Sequence, residues 1–449
     1  MEVAYRGVPD DGLIVGTTVH GRPSVFADNW PNRARFWFPS VDHPSDKASV
    51  AFTIHAPSSW QVVANGVREH ATEAGSAEAP PGRGPDGDLR TWRWRTRIPI
   101  PTYTMVVGAT EFAVRSVGLA ACGQAPESPR SDGCVDVTTW LYPSDSVRAG
   151  RSFRRAAEMV DVFTGMIGPF PYEKLAHVQS ATRFGGMENV SAIFYSESAL
   201  ASGGDIEGTV AHEMAHQWFG DAVTEADWHH LWLSEGFATY FGALFFERAD
   251  GPRAFRARME ESRLRYQTSD VTDRPVVDPD EDDLFQLLNA NNYQKGAWVL
   301  HMLRGILGDE AFFGGIREYY RRHVHGTVLT EDFRRVMEEV SKQELGWFFD
   351  QWIFRPGHPV ISTEWSWNAA REEARVVLRQ TQPEAWPVFR VPAEVGVLLP
   401  DGTERRQAVV LDGRSTEVRI PAPSRPEAVV FDPDRWVLHR APRRSTPEP

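Results

Sequence analysis

Gly208 to Tyr240, GTVAHEMAHQWFGDAVTEADWHHLWLSEGFATY, is the stretch on which the reading of this chain turns. His212 and His216 stand about one helical turn apart, so on a helix both imidazoles project from one face toward a single point. Val210, Met214 and Trp218 fall on the opposite side, leaving an apolar flank to bury and a polar flank to present to a cleft. Eighteen residues separate His216 from Glu235, which opens EGFATYFGALFFE, a run with the spacing of a second helix. That arrangement suits three ligands to one metal ion.

The residue types agree with that chemistry. Zinc accepts imidazole nitrogen and carboxylate oxygen, and a catalytic zinc keeps three protein ligands and leaves its fourth position to water. With His212, His216 and Glu235 as ligands, one zinc per chain is expected, and Glu213 is left over as a general base that takes the proton of the activated water. A His-Glu-x-x-His string also arises by chance on amphipathic helices; the spaced Glu235 is what favours the metal over two histidines on a helix face.

Composition bounds the rest. At 449 residues the chain exceeds one ordinary core and is expected to be multidomain. A formal charge of -13 excludes a phosphate-backbone partner as the natural reading, and no run of eighteen apolar residues is available to span a bilayer, so the sequence predicts a soluble protein. The opening EVAYRGVPDDGL carries no signal peptide.

Residues 1–115 read as β structure. Val50, Phe52 and Ile54 alternate with polar neighbours, Asn65-Gly66 reads as a hairpin turn, and Trp92, Trp94, Thr96 and Ile98 share a strand face. Arg93, Arg95 and Arg97 on the other face read as a solvated surface without a function. Segments 75–90 and 116–133 are rich in Pro, Gly and Ser and are expected to be loops. Cys122 and Cys134 lie in or beside the second; the sequence leaves open a disulfide or two reduced thiols.

From about 136 the pattern is mixed. Val147 to Gly165 has helical spacing, and FGGMENVSAIFYSES reads as a strand entered at Gly185-Gly186. Helical stretches continue to Pro356-Gly357, interrupted by an acidic run, Asp278 to Asp283, that reads as a solvated loop. Residues 357–440 return to β alternation, with Asp401-Gly402 and Asp412-Gly413 as hairpin turns of a small sandwich, and 441–449 are expected to be disordered.

Three motifs in this order resemble peptidase family M1, the zinc aminopeptidases typified by membrane alanyl aminopeptidase and leukotriene A4 hydrolase: Gly185-Gly186-Met187-Glu188-Asn189, His212-Glu213-Met214-Ala215-His216 with Glu235, and Tyr293-Gln294-Lys295-Gly296. NRARFWFPSVDHPSDKA resembles the family's arginine-rich stretch in its first β domain, so the resemblance covers nearly the whole chain. It implies a multidomain α+β fold: an antiparallel β domain over 1–115, a loop over 116–135, a thermolysin-like α/β zinc domain over 136–356 and a small β-sandwich over 357–440. The family's first domain has more chain ahead of the point matching Met1, so the first β domain is expected to be incomplete, with any targeting signal outside the sequence. A periplasmic or secreted location would follow from such a signal together with a Cys122–Cys134 bond, and a cytoplasmic one otherwise.

Position by position, the resemblance implies that Glu188 grips the substrate's α-ammonium, within a substrate-binding stretch made by Gly185, Gly186, Met187, Glu188 and Asn189. Tyr293 donates a hydrogen bond to the oxyanion, and Asp221 orients a ligand histidine. His229 and His230 receive no role. The substrates implied are peptides with a free amino terminus. In place of the family's Gln-x-Glu element stands Asp28-Asn29-Trp30, where Asp28 is the candidate substitute. The alternatives are an endopeptidase with the same ligands, which has no use for Glu188, an epoxide hydrolase, and a non-catalytic scaffold, which would be expected to have lost ligands, base or tyrosine.

Overall fold

Alternating strands and apolar helix faces organise this computed structural model, which describes residues 2–69, 83–84 and 87–442. The fold is multidomain α+β, and the chain separates into two compact units, Met1–Phe255 with Ile316–Phe333, and Arg256–Gly315 with Arg334–Pro449.

The first unit begins with antiparallel sheets. Leu13–Thr17, Pro23–Ala27, Val107–Thr110 and Gln61–Ala64 form one, in that spatial order, and Ala51–Pro57 pairs with Gly87–Arg95 in a second. Trp92 and Trp94 turn inward from the second, while Arg95 reaches Glu69 at its exposed surface. Asn65-Gly66 is not a hairpin: Gln61–Ala64 pairs with Val107–Thr110, and Val67–Arg68 leaves for the other sheet. The dipeptide is a junction, because Asn65 Nδ2 donates to Thr104 O and Val190 O while Gly66 N donates to Ser191 Oγ. Gly66 has φ +75°, and a Cβ there would lie 2.0 Å from Arg95 O, so only glycine fits.

A five-stranded mixed sheet follows, from β1 (Ala113–Ala120), β2 (Val135–Leu141), β3 (Leu175–Ser180), β4 (Gly186–Met187) and β5 (Ala192–Ser196), in the order β1-β2-β3-β5-β4. The pairs β2–β3 and β3–β5 are parallel, and all six residues of β3 are buried, as expected of a strand covered on both faces. Two expectations change here. The 116–133 segment is strand as far as Ala120, and the FGGMENVSAIFYSES run is two antiparallel strands that put β4 at the sheet edge. The Pro/Gly/Ser content located the turns but not how far the ladder runs into them. Of the 75–90 segment, Gly87 onward is strand and most of the remainder lies outside the described residues, as do 443–449. Cys122 and Cys134 are disulfide-bonded, closing the β1–β2 connection and contributing about 3 kcal/mol in the chain-entropy picture.

Helix α1 (Ala156–Met166) lies between β2 and β3 in sequence, and helices α2 (Glu207–His216) and α3 (Trp232–Asp250) follow β5. Phe163 on α1 meets Trp218 and Phe245 edge-on, with ring centroids 5.8 and 6.3 Å apart. Helices α2 and α3 approach so closely that a Cβ on Gly242 would stand 3.3 Å from His212 N. Aromatic packing of Phe219, Phe237, Tyr319 and Phe333 fixes the far side of α3.

The second unit ends in two three-stranded sheets. β6 (Ile361–Asn368), β7 (Glu373–Gln380) and β10 (Ser415–Pro421) form one, and β8 (Val391–Leu398), β9 (Glu404–Leu411) and β11 (Ala428–Phe431) the other. Asp401-Gly402 turns the β8–β9 hairpin as expected. Asp412-Gly413 does not make a hairpin, since β10 pairs with β7 and the turn carries the chain between sheets. The acidic run is held locally: Arg274 pairs with Asp278 and Glu281, and Asp283 accepts from Phe285 N. Among the described residues no helix is long and apolar enough to cross a membrane.

Candidate active site

Helix α2 delivers both histidines and α3 delivers Glu235 from its first turn. His212 Nε2 lies 3.1 Å from His216 Nε2 and 3.1 Å from Glu235 Oε2, and His216 Nε2 lies 3.3 Å from the same oxygen. Zinc bonded at 2.0–2.1 Å to a tetrahedral set needs donor separations of about 3.3 Å, so the three atoms fit that ion. The other ring nitrogen of His216 contacts Phe219 O at 3.1 Å and Ser234 Oγ at 3.0 Å, which orients the ring and suits an Nδ1–H tautomer with the Nε2 lone pair turned to the metal position. Gly220, at φ +114°, makes room for this: a Cβ there would lie 2.3 Å from Ser234 Oγ.

Charge points the same way. Glu188, Glu213, Asp221, Glu225 and Glu235 are all buried around His216. Burial lifts the Glu213 carboxyl far above the usual carboxylate range, and Glu188 and Glu235 add to the lift against His216. Burial likewise raises Glu188 and, with Glu188 as neighbour, Asp221. Glu235 is the exception, since the two imidazoles overcome its burial and hold its carboxyl low. His216 in turn is raised, because the surrounding carboxylates outweigh its burial. So many buried carboxyls, most of them pushed toward their neutral forms, make a site whose charged forms a cation at the centre would stabilise. On the polar flank of α2, His212 keeps a partly exposed side chain while His216 is fully buried and Glu213 is 6% exposed.

Glu213 lies against β4, the strand just ahead of Glu188. A Cβ built on Gly186 would stand 2.2 Å from Glu213 Oε1, so the missing side chain is where the carboxyl sits. Gly185 is exposed, Gly186 and Met187 form the edge strand β4, and Glu188 and Asn189 are buried. The Glu188 carboxylate is hydrogen-bonded with Tyr103. Both side-chain polar atoms of Asn189 lack a partner among the described residues.

The peptidase family M1 domain matches residues 153–352. The Tricorn protease-interacting factor F2 of Thermoplasma acidophilum is 28% identical over 80% of this chain and 44% of its own length. Aminopeptidase N of Streptomyces lividans is 28% identical over 78% of this chain and 40% of its own. The chain is similar to peptidase family M1 over that central region. It spans less than half the length of these relatives. In fold it is similar to Legionella pneumophila aminopeptidase A, solved in complex with aspartic acid, with TM-score 0.77 at 18% identity over 94% of this chain and 48% of that one.

Several polar residues of this chain that the motifs did not single out stand at the site. Gln217 ties α2 to the Glu188 carbonyl, Tyr103 backs Glu188, and Lys47 donates to Asp221 O and Ala222 O at 3.0 Å each. Glu225 lies behind them, buried, with neither oxygen partnered among the described residues. Asp221 does not orient a histidine. Its Oδ2 accepts from Gln217 Nε2 at 2.7 Å, and Phe219 O and Ser234 take the role on His216 instead. Asp28 is not available as a substitute amine ligand either, because Arg33, Arg183 and Thr182 occupy its carboxylate at 2.8–3.0 Å. His229 pairs with Asp227, and His230 with Thr330.

Tyr293 belongs to the second unit and sits half-buried on a π-helical turn, Asn291–Lys295. Asn291 Nδ2 pins that turn to the carbonyls of Val271, Arg274 and Pro275, and Asn292 Nδ2 to Leu287 O. Lys295 beside it is fully buried, and burial pulls its ammonium down to about 7. In the unfolded chain it titrates near 10.4, so between about pH 7 and pH 10 the unfolded state holds a proton the folded state lacks, and this lysine makes stability rise with pH across that window. Its contribution is lost as pH falls through 7. Relative to the parent, Lys295→Met is therefore expected to be most favourable at neutral pH and to lose that advantage toward pH 10, by up to ~1.4 kcal/mol per pH unit. Urea unfolding across the window checks this; parallel curves would contradict it.

Proposed function

We propose that the chain is a zinc metallo-aminopeptidase that hydrolyses the first peptide bond of peptides with a free amino terminus. The observation that carries the reading is one buried cluster containing a zinc-compatible triad, His212, His216 and Glu235, together with two carboxylates the triad does not use, Glu213 and Glu188. Among the described residues no lysine or arginine pairs with Glu188; its partner is the Tyr103 hydroxyl. Such a carboxylate is suited to a cation that arrives with the substrate.

His212, His216 and Glu235 would hold the zinc, which supplies a Lewis acid that acidifies water and polarises the scissile carbonyl. Glu213 takes the proton of the attacking water and passes it to the leaving amine; its raised affinity for a proton suits a base that must hold one between the two transfers. Glu188 binds the α-ammonium and so sets the first peptide bond, rather than a later one, over the metal position. The exposed edge of β4 gives the substrate backbone a strand to lie along, with Gly185 and Gly186 allowing close approach. Tyr293 donates to the oxyanion of the tetrahedral intermediate.

An endopeptidase with the same triad has no need for Glu188, a scaffold has no need for Glu213, and nothing in the site calls for an epoxide. Elemental analysis after mild dialysis is expected to give about one zinc per chain. Chelation should abolish hydrolysis of amino-acyl anilides, and zinc should restore it. A metal-free preparation with full activity would overturn the proposal.

A further inference from the structure

Gln217 follows the metal ligand His216 directly and is fully buried. Its Nε2 donates to Glu188 O at 2.8 Å and to Asp221 Oδ2 at 2.7 Å, while its Oε1 accepts from Ser191 N at 2.8 Å. One side chain thus grips the segment that follows β4 at two points, the Glu188 carbonyl and the Ser191 amide, from the end of the metal helix. Its orientation is determined, because Ser191 N needs an acceptor whereas Glu188 O and the Asp221 carboxylate each need a donor; an inverted amide would fail all three. Asp221 is held in turn, since Lys47 Nζ bonds the carbonyls of Asp221 and Ala222.

We propose that Gln217 is the positioning residue for Glu188: it sets the distance between the α-ammonium acceptor and the metal position, with Asp221 fixing which way its amide faces. The need for such a part is physical. Glu188 and the metal ligands come from different elements, and a displacement of about 1 Å between binding group and reacting centre can cost about 10²-fold. Nothing else among the hydrogen bonds described ties the Glu188 peptide group itself to α2. Gln217 does not touch the substrate; it acts through the backbone of residues 188 and 191.

The inference rests on the reading that Glu188 binds the α-ammonium, and the test separates the two. Leucine hydroxamate and its des-amino analogue, 4-methylpentanoic hydroxamate, share a metal-binding head and differ in the amine. Calorimetry on the zinc-loaded protein is expected to show the parent binding the amino compound about 10- to 100-fold more tightly, the range of a charged hydrogen bond. Gln217→Met and Gln217→Glu remove the donor to Glu188 O; the second is isosteric, keeps an acceptor for Ser191 N, and serves if the first does not fold. Both are expected to lose about tenfold or more of that preference while des-amino affinity stays within about threefold. Asp221→Asn keeps an acceptor for the Gln217 amide and is expected to retain the preference. A parent without any preference would overturn the Glu188 reading, and this inference with it. A parent with the preference and Gln217 variants that keep it would overturn the inference alone, as would equal weakening of both hydroxamates, which marks a merely structural role.

Discussion

Glu213→Gln is expected to keep about one zinc per chain and to lose turnover by about 10³-fold or more. In the proposed triad of His212, His216 and Glu235 the side chain is not a metal ligand, and the amide occupies the same space against Gly186; lost zinc would instead point to the neighbouring group of Glu188, Glu213 and His216 as the metal site. What is lost is the ability to accept a proton from water, since a neutral amide cannot act as a base near neutral pH. Stability provides an independent check. Burial, with Glu188 and Glu235 adding to it against His216, pushes the Glu213 carboxyl toward its neutral form, so a neutral amide in its place adds no buried charge and should not lower the melting temperature. Retained zinc, unchanged melting and lost turnover together assign Glu213 to the proton transfer. Activity within about tenfold of the parent would place the base elsewhere.

Tyr293→Phe has the next largest expected effect, a fall in kcat of about 10²- to 10³-fold with little change in KM. The oxyanion exists only along the reaction path, so a donor aimed at it strengthens binding of the transition state and not of the substrate. The turn that carries the tyrosine is anchored by Asn291 and Asn292 to backbone carbonyls, and neither bond involves the phenol, so the variant is expected to fold as the parent does. Steady-state kinetics on one anilide substrate decide the matter. An increase in KM at constant kcat would make Tyr293 a binding residue instead.

What could be seen in the sequence was whatever depends on short spacing. The four-residue step from His212 to His216 on one helix is a local geometric fact, and it holds in the structure, as does the alternation that buries Trp92 and Trp94. Glu235 was within reach because α3 packs back on α2 through glycine at 242, a closeness the interval of eighteen residues allows. Long-range pairing was not legible. Asn65-Gly66 and Asp412-Gly413 each make a turn, but the strands on either side join different sheets, which no dipeptide specifies.

The supporting residues were hidden for a similar reason. Gln217 is a glutamine on a helix end until Glu188 arrives from 29 positions upstream, Lys47 comes from a two-residue strand paired with Ile100–Pro101, and Tyr103 from the short turn after that pair. Asp28 and Asp221 show the converse error: each is an acid near a motif, yet arginines in one case and a glutamine amide in the other already occupy it. The readable signal for these roles is the competition for each carboxylate, which only coordinates reveal.

The central claim is that Glu188 selects a free amino terminus and thereby places the first peptide bond at the metal. Digestion of one unblocked peptide beside its N-acetylated twin, followed by mass spectrometry, tests it most directly. Acetylation removes the positive charge and leaves every other group in place, so the unblocked peptide should lose single residues from its amino end while the acetylated one stays intact. Internal fragments released from both at similar rates would contradict the account and leave a zinc endopeptidase in its place.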